Sequence, residues 1–386
     1  MNVSGRQATL QAILHTQLRS FREGHALSPR QWQVCNHIMS CRTGQLGSVY
    51  LSCSNCDHSQ LHHHACRDRH CPQCQQQASQ QWSEKQAQSL LPEVTYHHIV
   101  FTLPHELNGW IALHPREIYG LLFQTVWSTL KRFGENPKYL GGQIGVTSVL
   151  HTWGENLSRH AHLHCLVPGG ALDHDGEWIS GKGNYLFPVR ALSRGFRGSM
   201  VSALRAAAES GQLDRVTVPG QIDEVLDQLM KKEWVVYSKP CEQRAERVVQ
   251  YLGRYTHRIA ISNERIEYAD SRTVRFSVKQ YRENGRRATM TLSAEEFVRR
   301  FLMHVLPKGL MRIRHYGLLS NRTRQDKIAH IRECLKKPPV KNSGRPMTGK
   351  PAPERTLDYR CPRCRTGRLH IRLSSEHGPP PEKLMN

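Results

Sequence analysis

The sequence predicts an α+β fold, an antiparallel sheet with helices on one face, joined to a small cysteine-rich module near the N-terminus. Two observations lead there. Strand-like and helix-like segments are mixed without a regular βαβ alternation, and seven of the twelve cysteines crowd between Cys35 and Cys74. At 386 residues and 38% hydrophobic content, the chain has material for two or three domains.

The elements follow in order. Leu10, Ile13, Leu14, Leu18 and Phe21 recur at helical spacing, and a second helix is expected around Trp32 to Met39. Tyr96 to Leu103 is β-rich and stopped by Pro104, so it reads as a core strand. A helix is expected from Glu117 to Phe133, then strands over Ile144 to Thr152 and His160 to Val167. Helices follow at Pro188 to Ala208 and Gln221 to Lys232, a strand at Trp234 to Ser238, and a helix at Glu242 to His257. Val274 to Tyr281 and Arg287 to Leu292 flank Asn284-Gly285, a hairpin signal. Ser293 with Glu296 then forms a capping box that opens a helix to about Leu306. Lys336 to Arg355 reads as a basic, Pro-rich linker. The expected organisation is a helical and zinc-binding domain over 1–92, a catalytic domain over 93–270, a hairpin-helix extension over 271–330, and a basic linker and tail over 331–386.

Charge narrows the function. Lys and Arg number 54 against 32 Asp and Glu, a formal net charge of +22, so the expected partner is nucleic acid. No apolar run is long enough for a membrane span and no signal-peptide core is evident, so a cytoplasmic protein is expected. In that compartment cysteines point to metal. Cys53-Ser-Asn-Cys56 and Cys71-Pro-Gln-Cys74 supply four thiolates, and the expected structural zinc ligands are Cys53, Cys56, Cys71 and Cys74. Cys66 and His70 are reserves, which a second ion could share with Cys35, Cys41 or His64. Cys361-Pro-Arg-Cys364 is half of a zinc site whose partners the spacing does not name; His370 or His377 could contribute.

Chemistry is concentrated in two short elements. In a strand, His160, His162 and His164 share a face and could grip one divalent ion through imidazole nitrogens. In a helix, Tyr251 and Tyr255 are neighbours four residues apart. A cation beside a tyrosine hydroxyl is the minimal equipment for transesterification of a phosphodiester. Gly176 to Gly183 nearly fits a phosphate-binding loop, but Gly183 stands where the Ser/Thr is needed, so no nucleotide cofactor is expected.

Phe101-Thr-Leu103, His162-Leu-His164 and Tyr251-x3-Tyr255 with Arg258 resemble the three ordered motifs of the HUH endonucleases. More closely, the chain resembles the two-tyrosine insertion-sequence transposases. The matching stretches include Cys66 to Cys74, Tyr96 to Leu107, His151-Thr-Trp-Gly154, His160 to Gly170, and Arg314-His-Tyr-Gly-Leu318. The resemblance implies an HUH-type five-stranded antiparallel sheet with the metal histidines on a central strand, faced by the tyrosine helix. It implies Tyr251 and Tyr255 as nucleophiles, and His162 and His164 as ligands of Mg²⁺ or Mn²⁺. For the third ligand, His160 is favoured over His151 on the preceding strand. The implied partners are single-stranded DNA at the element ends and target DNA. Arg190, Arg194 and Arg197, or Arg312 and Arg314 with Tyr316, are candidate DNA contacts. A rolling-circle replication initiator, or a non-catalytic zinc protein that binds nucleic acid, fits part of the same pattern.

Overall fold

The computed structural model describes residues 8–87, 90–91, 94–181, 185–216, 220–241, 260–280, 285–335 and 359–372. The expected tyrosine helix, with Tyr251, Tyr255 and Arg258, lies outside the described residues. The chain begins with α1 (Leu10–Gly24) and α2 (Pro29–Ser40). Thr9 caps α1 by accepting from the Ala12 amide, and Ser28 with Gln31 forms a full capping box at α2. Strands β1 (Ser48–Cys53) and β2 (Ser59–His63) pair antiparallel, and α3 (Pro72–Ala87) follows the second cysteine loop.

The centre of the molecule is a five-stranded, wholly antiparallel sheet. β3 (Tyr96–Thr102) leads through α4 (Asn108–Leu113) and α5 (Pro115–Glu135) to β4 (Gly145–Trp153) and β5 (Arg159–Pro168). A small hairpin, β6 (Gly170–Leu172) with β7 (Trp178–Ser180), precedes α6 (Val189–Glu209), α7 (Gln221–Lys231) and β8 (Val236–Cys241). A second sheet contains β9 (Ile266–Ala269), β10 (Thr273–Gln280) and β11 (Arg286–Ser293), and α8 (Ala294–Leu302) follows it. β12 (Ile313–Gly317) returns to the central sheet, whose order is β12-β4-β5-β3-β8. α9 (Arg324–Cys334), β13 (Tyr359–Arg360) and β14 (Arg368–Arg372) complete the described chain.

The pleat of the central sheet separates two surfaces. Ala161, Leu163, Cys165 and Val167 of β5 and Ile99 and Phe101 of β3 enter the main core, where α5 and α6 cover them. Phe101 meets Phe196 of α6 edge-on with centroids 5.2 Å apart. The odd-numbered β4 residues Thr147, Val149 and His151 and the even-numbered β5 residues take the opposite face. A second core joins α1 and α2 to β9, β10 and α8, so the N-terminal helices rest on residues more than two hundred positions away.

Three expectations change. The strand expected at Trp234 begins at Val236, because Trp234 is buried and its indole donates to Leu229 O at the end of α7. The helix after Ser293 stops at Leu302 rather than Leu306. Beyond it the buried His304 ring bonds to Leu157 O at 3.1 Å and to the Thr152 hydroxyl at 3.2 Å, which requires a turn. The capping box there is half formed: Ser293 accepts from the Glu296 amide, while the Glu296 carboxylate takes Arg299 and Arg300 instead. Among the described residues no helix is long and apolar enough to cross a membrane.

Gly317 ends β12 at φ +58°, and a Cβ there would stand 2.0 Å from Ile144 O and 2.9 Å from the Trp127 ring. Gly317→Ala is therefore expected to cost at least about 2 kcal/mol in chemical denaturation, from left-handed strain plus collision with backbone. Burial holds His304 and His315 down to about 4, well below the ordinary histidine value. Both are neutral when folded, so acidification from about pH 6.5 to about 4 adds protons to the unfolded chain only and should lower stability. Each contributes on the order of 2 kcal/mol across that window. His304→Gln, followed by denaturation at several pH values, should flatten this acid limb.

Candidate metal centres

Three groups of ligand atoms converge among the described residues, each within 4.8 Å: Cys41, Cys66, Cys71 and Cys74; Cys53, Cys56, Cys361 and Cys364; and His151, His162 and His164. The expected zinc quartet is thereby regrouped. Cys71 and Cys74 do not meet Cys53 and Cys56; they meet Cys41, at the C-terminus of α2, and Cys66. The reason is the β1-β2 pairing, which carries Cys53 and Cys56 to the far end of the hairpin.

In the first cluster, Cys74 Sγ lies 3.6 Å from Cys41 Sγ and 3.7 Å from Cys66 Sγ. Arg67 occupies the left-handed region at φ 54° between them. His70, a reserve ligand in the sequence reading, is used otherwise. Its Nδ1 bonds to Asp68 Oδ1 at 2.8 Å, and its Nε2 accepts from the Leu306 amide at 3.2 Å. The buried Asp68 carboxylate also meets His37 at 3.0 Å and Arg30 at 3.6 Å. Although burial opposes its ionisation, bonds from His70 and His37 hold Asp68 below the usual carboxylate range. Arg69 donates to Pro307 O at 2.9 Å and to Leu310 O, so the cysteine loop is fastened to the segment between α8 and β12. Cys35, a possible ligand of a second ion by sequence, lies in the apolar core, outside every cluster; burial pushes it and Cys165 up to about 12.

The histidine cluster stands on the face of the central sheet opposite α5 and α6. His151 of β4 is registered directly against His162 of β5. A β-bulge follows His151, the kind of irregularity that re-aims side chains beside functional sites. The His162 and His164 Nε2 atoms are 3.1 Å apart, and the His151 ring centroid is 4.4 Å from that of His164. His162 Nδ1 donates to His160 O at 2.8 Å, which makes Nε2 the unprotonated nitrogen of the neutral ring. His164 Nδ1 lies 2.8 Å from Nε2 of the buried His98. Burial holds His98 down to about 4, so it is neutral and can accept from His164, turning the His164 Nε2 lone pair toward His162. Two facing imidazole lone pairs at this distance repel unless a cation lies between them, and the donor set fits a divalent ion.

His160, favoured in the sequence reading as the third member, is exposed and outside this trio; His151 takes the position. An antiparallel neighbour presents a residue across the pair on the same face, whereas His160 is carried along β5 toward the strand end. The candidate DNA contacts also divide. Arg312 is buried, Arg314 lies over the Phe123 ring at 4.1 Å, and Tyr316 stacks on Trp127. Arg190, Arg194 and Arg197 sit on α6, behind the sheet from the histidines. Conversely, Tyr237 and Lys239 of β8, which no sequence motif marks, are exposed and registered against Val100 and His98 on the histidine face. Their period of two was visible in the chain, but the pairing partner was not.

A family profile described as "Transposase zinc-binding domain" matches residues 13–103, and one described as "Putative transposase" matches residues 145–327. "Putative transposase y4qJ" of Sinorhizobium fredii is 44% identical over 324 residues, covering 82% of this chain and 81% of that protein. The chain belongs to the two-tyrosine insertion-sequence transposases. The "Transposase for insertion sequence element IS801" of Pseudomonas savastanoi is a more distant relative of this transposase, 28% identical over 79% of this chain and 74% of that one. No solved structure matches the chain.

Mn²⁺ affinity measured by calorimetry on single variants tests the assignment. His151→Ala should weaken binding about 100-fold, through loss of a ligand, and His98→Ala about 10-fold, through loss of the group that orients His164. His160→Ala should leave the affinity within about twofold of the parent; equal losses at His160 and His151 would defeat the choice of His151.

Proposed function

We propose that this transposase nicks and rejoins single-stranded DNA through a covalent 5′-phosphotyrosine intermediate, in rolling-circle-like transposition of an insertion sequence. The observation that carries the reading is the convergence of His151, His162 and His164 on one sheet face, with His98 behind them. These three imidazoles are the ligands of the proposed Mn²⁺ or Mg²⁺ site. A divalent cation held there would withdraw charge from the scissile phosphate.

The remaining chemistry belongs to the chain. Tyr251 or Tyr255, outside the described residues, supplies the phenolic oxygen that bonds to phosphorus as the bond to the 3′ oxygen breaks. The phenolic proton is lost and the departing 3′ oxygen gains one. One phosphodiester replaces another, so no nucleotide hydrolysis is needed. A second tyrosine allows a second cleavage before the first strand is released, as transfer to a target requires. Exposed Tyr237 and Lys239 on the same face offer a ring for base stacking and a cation for the backbone. The formal charge of +22 supports a polyanionic substrate.

The test is denaturing electrophoresis of the purified chain incubated with Mn²⁺ and labelled single-stranded oligonucleotides that tile both flanks of its gene. A protein-DNA band that resists denaturation is expected. It should persist in at most one of Tyr251→Phe and Tyr255→Phe, and disappear in the double variant and in His162→Ala. Absence of any band from metal-replete protein that binds these oligonucleotides would sink the reading.

A further inference from the structure

We infer that Cys53, Cys56, Cys361 and Cys364 form a second structural zinc site, separate from the Cys41 cluster, that clamps the C-terminal strand pair onto β1. The two Cys-x2-Cys units lie more than three hundred residues apart in the chain, yet all four sulfurs fall within 4.8 Å of one another. Cys53 Sγ is 3.6 Å from Cys364 Sγ, and Cys56 Sγ is 3.7 Å from Cys361 Sγ. These separations are far too long for a disulfide, whose sulfurs bond at about 2.05 Å. They match a tetrahedron, because four sulfurs each about 2.3 Å from one zinc ion stand about 3.8 Å apart. The Cys41 cluster repeats the same spacing.

The backbone around the four thiols is shaped for thiolates. The Asn55 amide donates to Cys53 Sγ at 3.3 Å and the Gly367 amide to Cys364 Sγ at 3.2 Å, one from each Cys-x2-Cys turn. A Cβ at Gly367 would stand 2.4 Å from Cys53 Sγ, so a glycine lets the two turns close on each other. β14 pairs with β1 from Tyr50–Arg372 to Cys53–Leu369, and β13 pairs with β14, which delivers Cys361 and Cys364 to the Cys53 turn. The core beneath is small: Leu51, Leu369 and Cys361 are its fully buried members. A core of this size does not hold a short four-stranded sheet unaided, whereas a tetrathiolate ion does. An all-sulfur donor set selects zinc over Mg²⁺, Mn²⁺ or Ca²⁺.

The test uses the full-length chain purified with zinc and a thiol reductant. Elemental analysis, after removal of weakly held ions, should find two zinc ions per chain. The variants Cys361→Ser/Cys364→Ser and Cys53→Ser/Cys56→Ser should each retain one, as should Cys41→Ser/Cys74→Ser. In the cobalt(II)-substituted protein, sulfur-to-cobalt charge-transfer absorption reports thiolate ligands without contribution from the histidine cluster, and it should fall by half in each variant. A chain truncated after residue 335 gives a second route to the same loss without altering the N-terminal cysteines. Two ions retained in Cys361→Ser/Cys364→Ser, one ion in the parent, or loss of both ions from the truncated chain would each overturn the inference.

Discussion

The pleat of β5 is the constraint on which the rest depends, because one strand serves two incompatible surfaces. Its Ala161, Leu163, Cys165 and Val167 side chains fill the core under α5 and α6, and its His162 and His164 side chains stand on the opposite face beside His151. A slip of one residue would exchange these sets, placing imidazoles in the apolar core and leucine at the site. The register is pinned from both sides by β3 and β4, themselves flanked by β8 and β12. The outer strands thus matter to the site through alignment. β12 crosses the interval after α8 to pair with β4, and Gly317 permits its close passage over Ile144.

A second polar junction connects the cysteine module to this sheet. Buried Asp68 gathers His37, His70 and Arg30, and His70 passes the connection on by accepting from the Leu306 amide. Two residues earlier His304 bonds to Leu157 O in the β4-β5 hairpin. The segment around His304 and Leu306 is thus held from one side by the cysteine module and from the other by the β4-β5 hairpin. Leaving any of these groups without a partner in so dry an environment is costly, so the module and the sheet are held in one arrangement. The donor sets of the two clusters differ: four sulfurs can close a tetrahedral structural site, whereas three imidazoles would leave positions open on an ion held there.

Much of this was legible in the chain. The strands carrying Phe101 and His162, the amphipathic helices α5 and α6, and the hairpin at Gly285 follow from local period and turn chemistry, which act between near neighbours. The histidine pair and the Cys-x2-Cys turns were equally plain, since two ligands on one strand face or in one tight turn need no distant partner. The errors concern partners. Two Cys-x2-Cys turns at zinc-like spacing point to Cys53, Cys56, Cys71 and Cys74 as one set, and a shared strand face points to His160, but neither local pattern names the residue that pairs across the fold.

By itself, the sequence determined the alternation of β5, the supply of thiolates and imidazoles, and the cationic balance that calls for nucleic acid. Tertiary structure alone decided the grouping. It joined Cys56 to Cys361, paired Cys41 with Cys74, brought His151 across from β4, and placed His98 behind His164. The physical reason is that a ligand set depends on which backbones hydrogen-bond side by side and in what register. Those choices are made by burial and strand pairing over the whole molecule, and no local spacing encodes them.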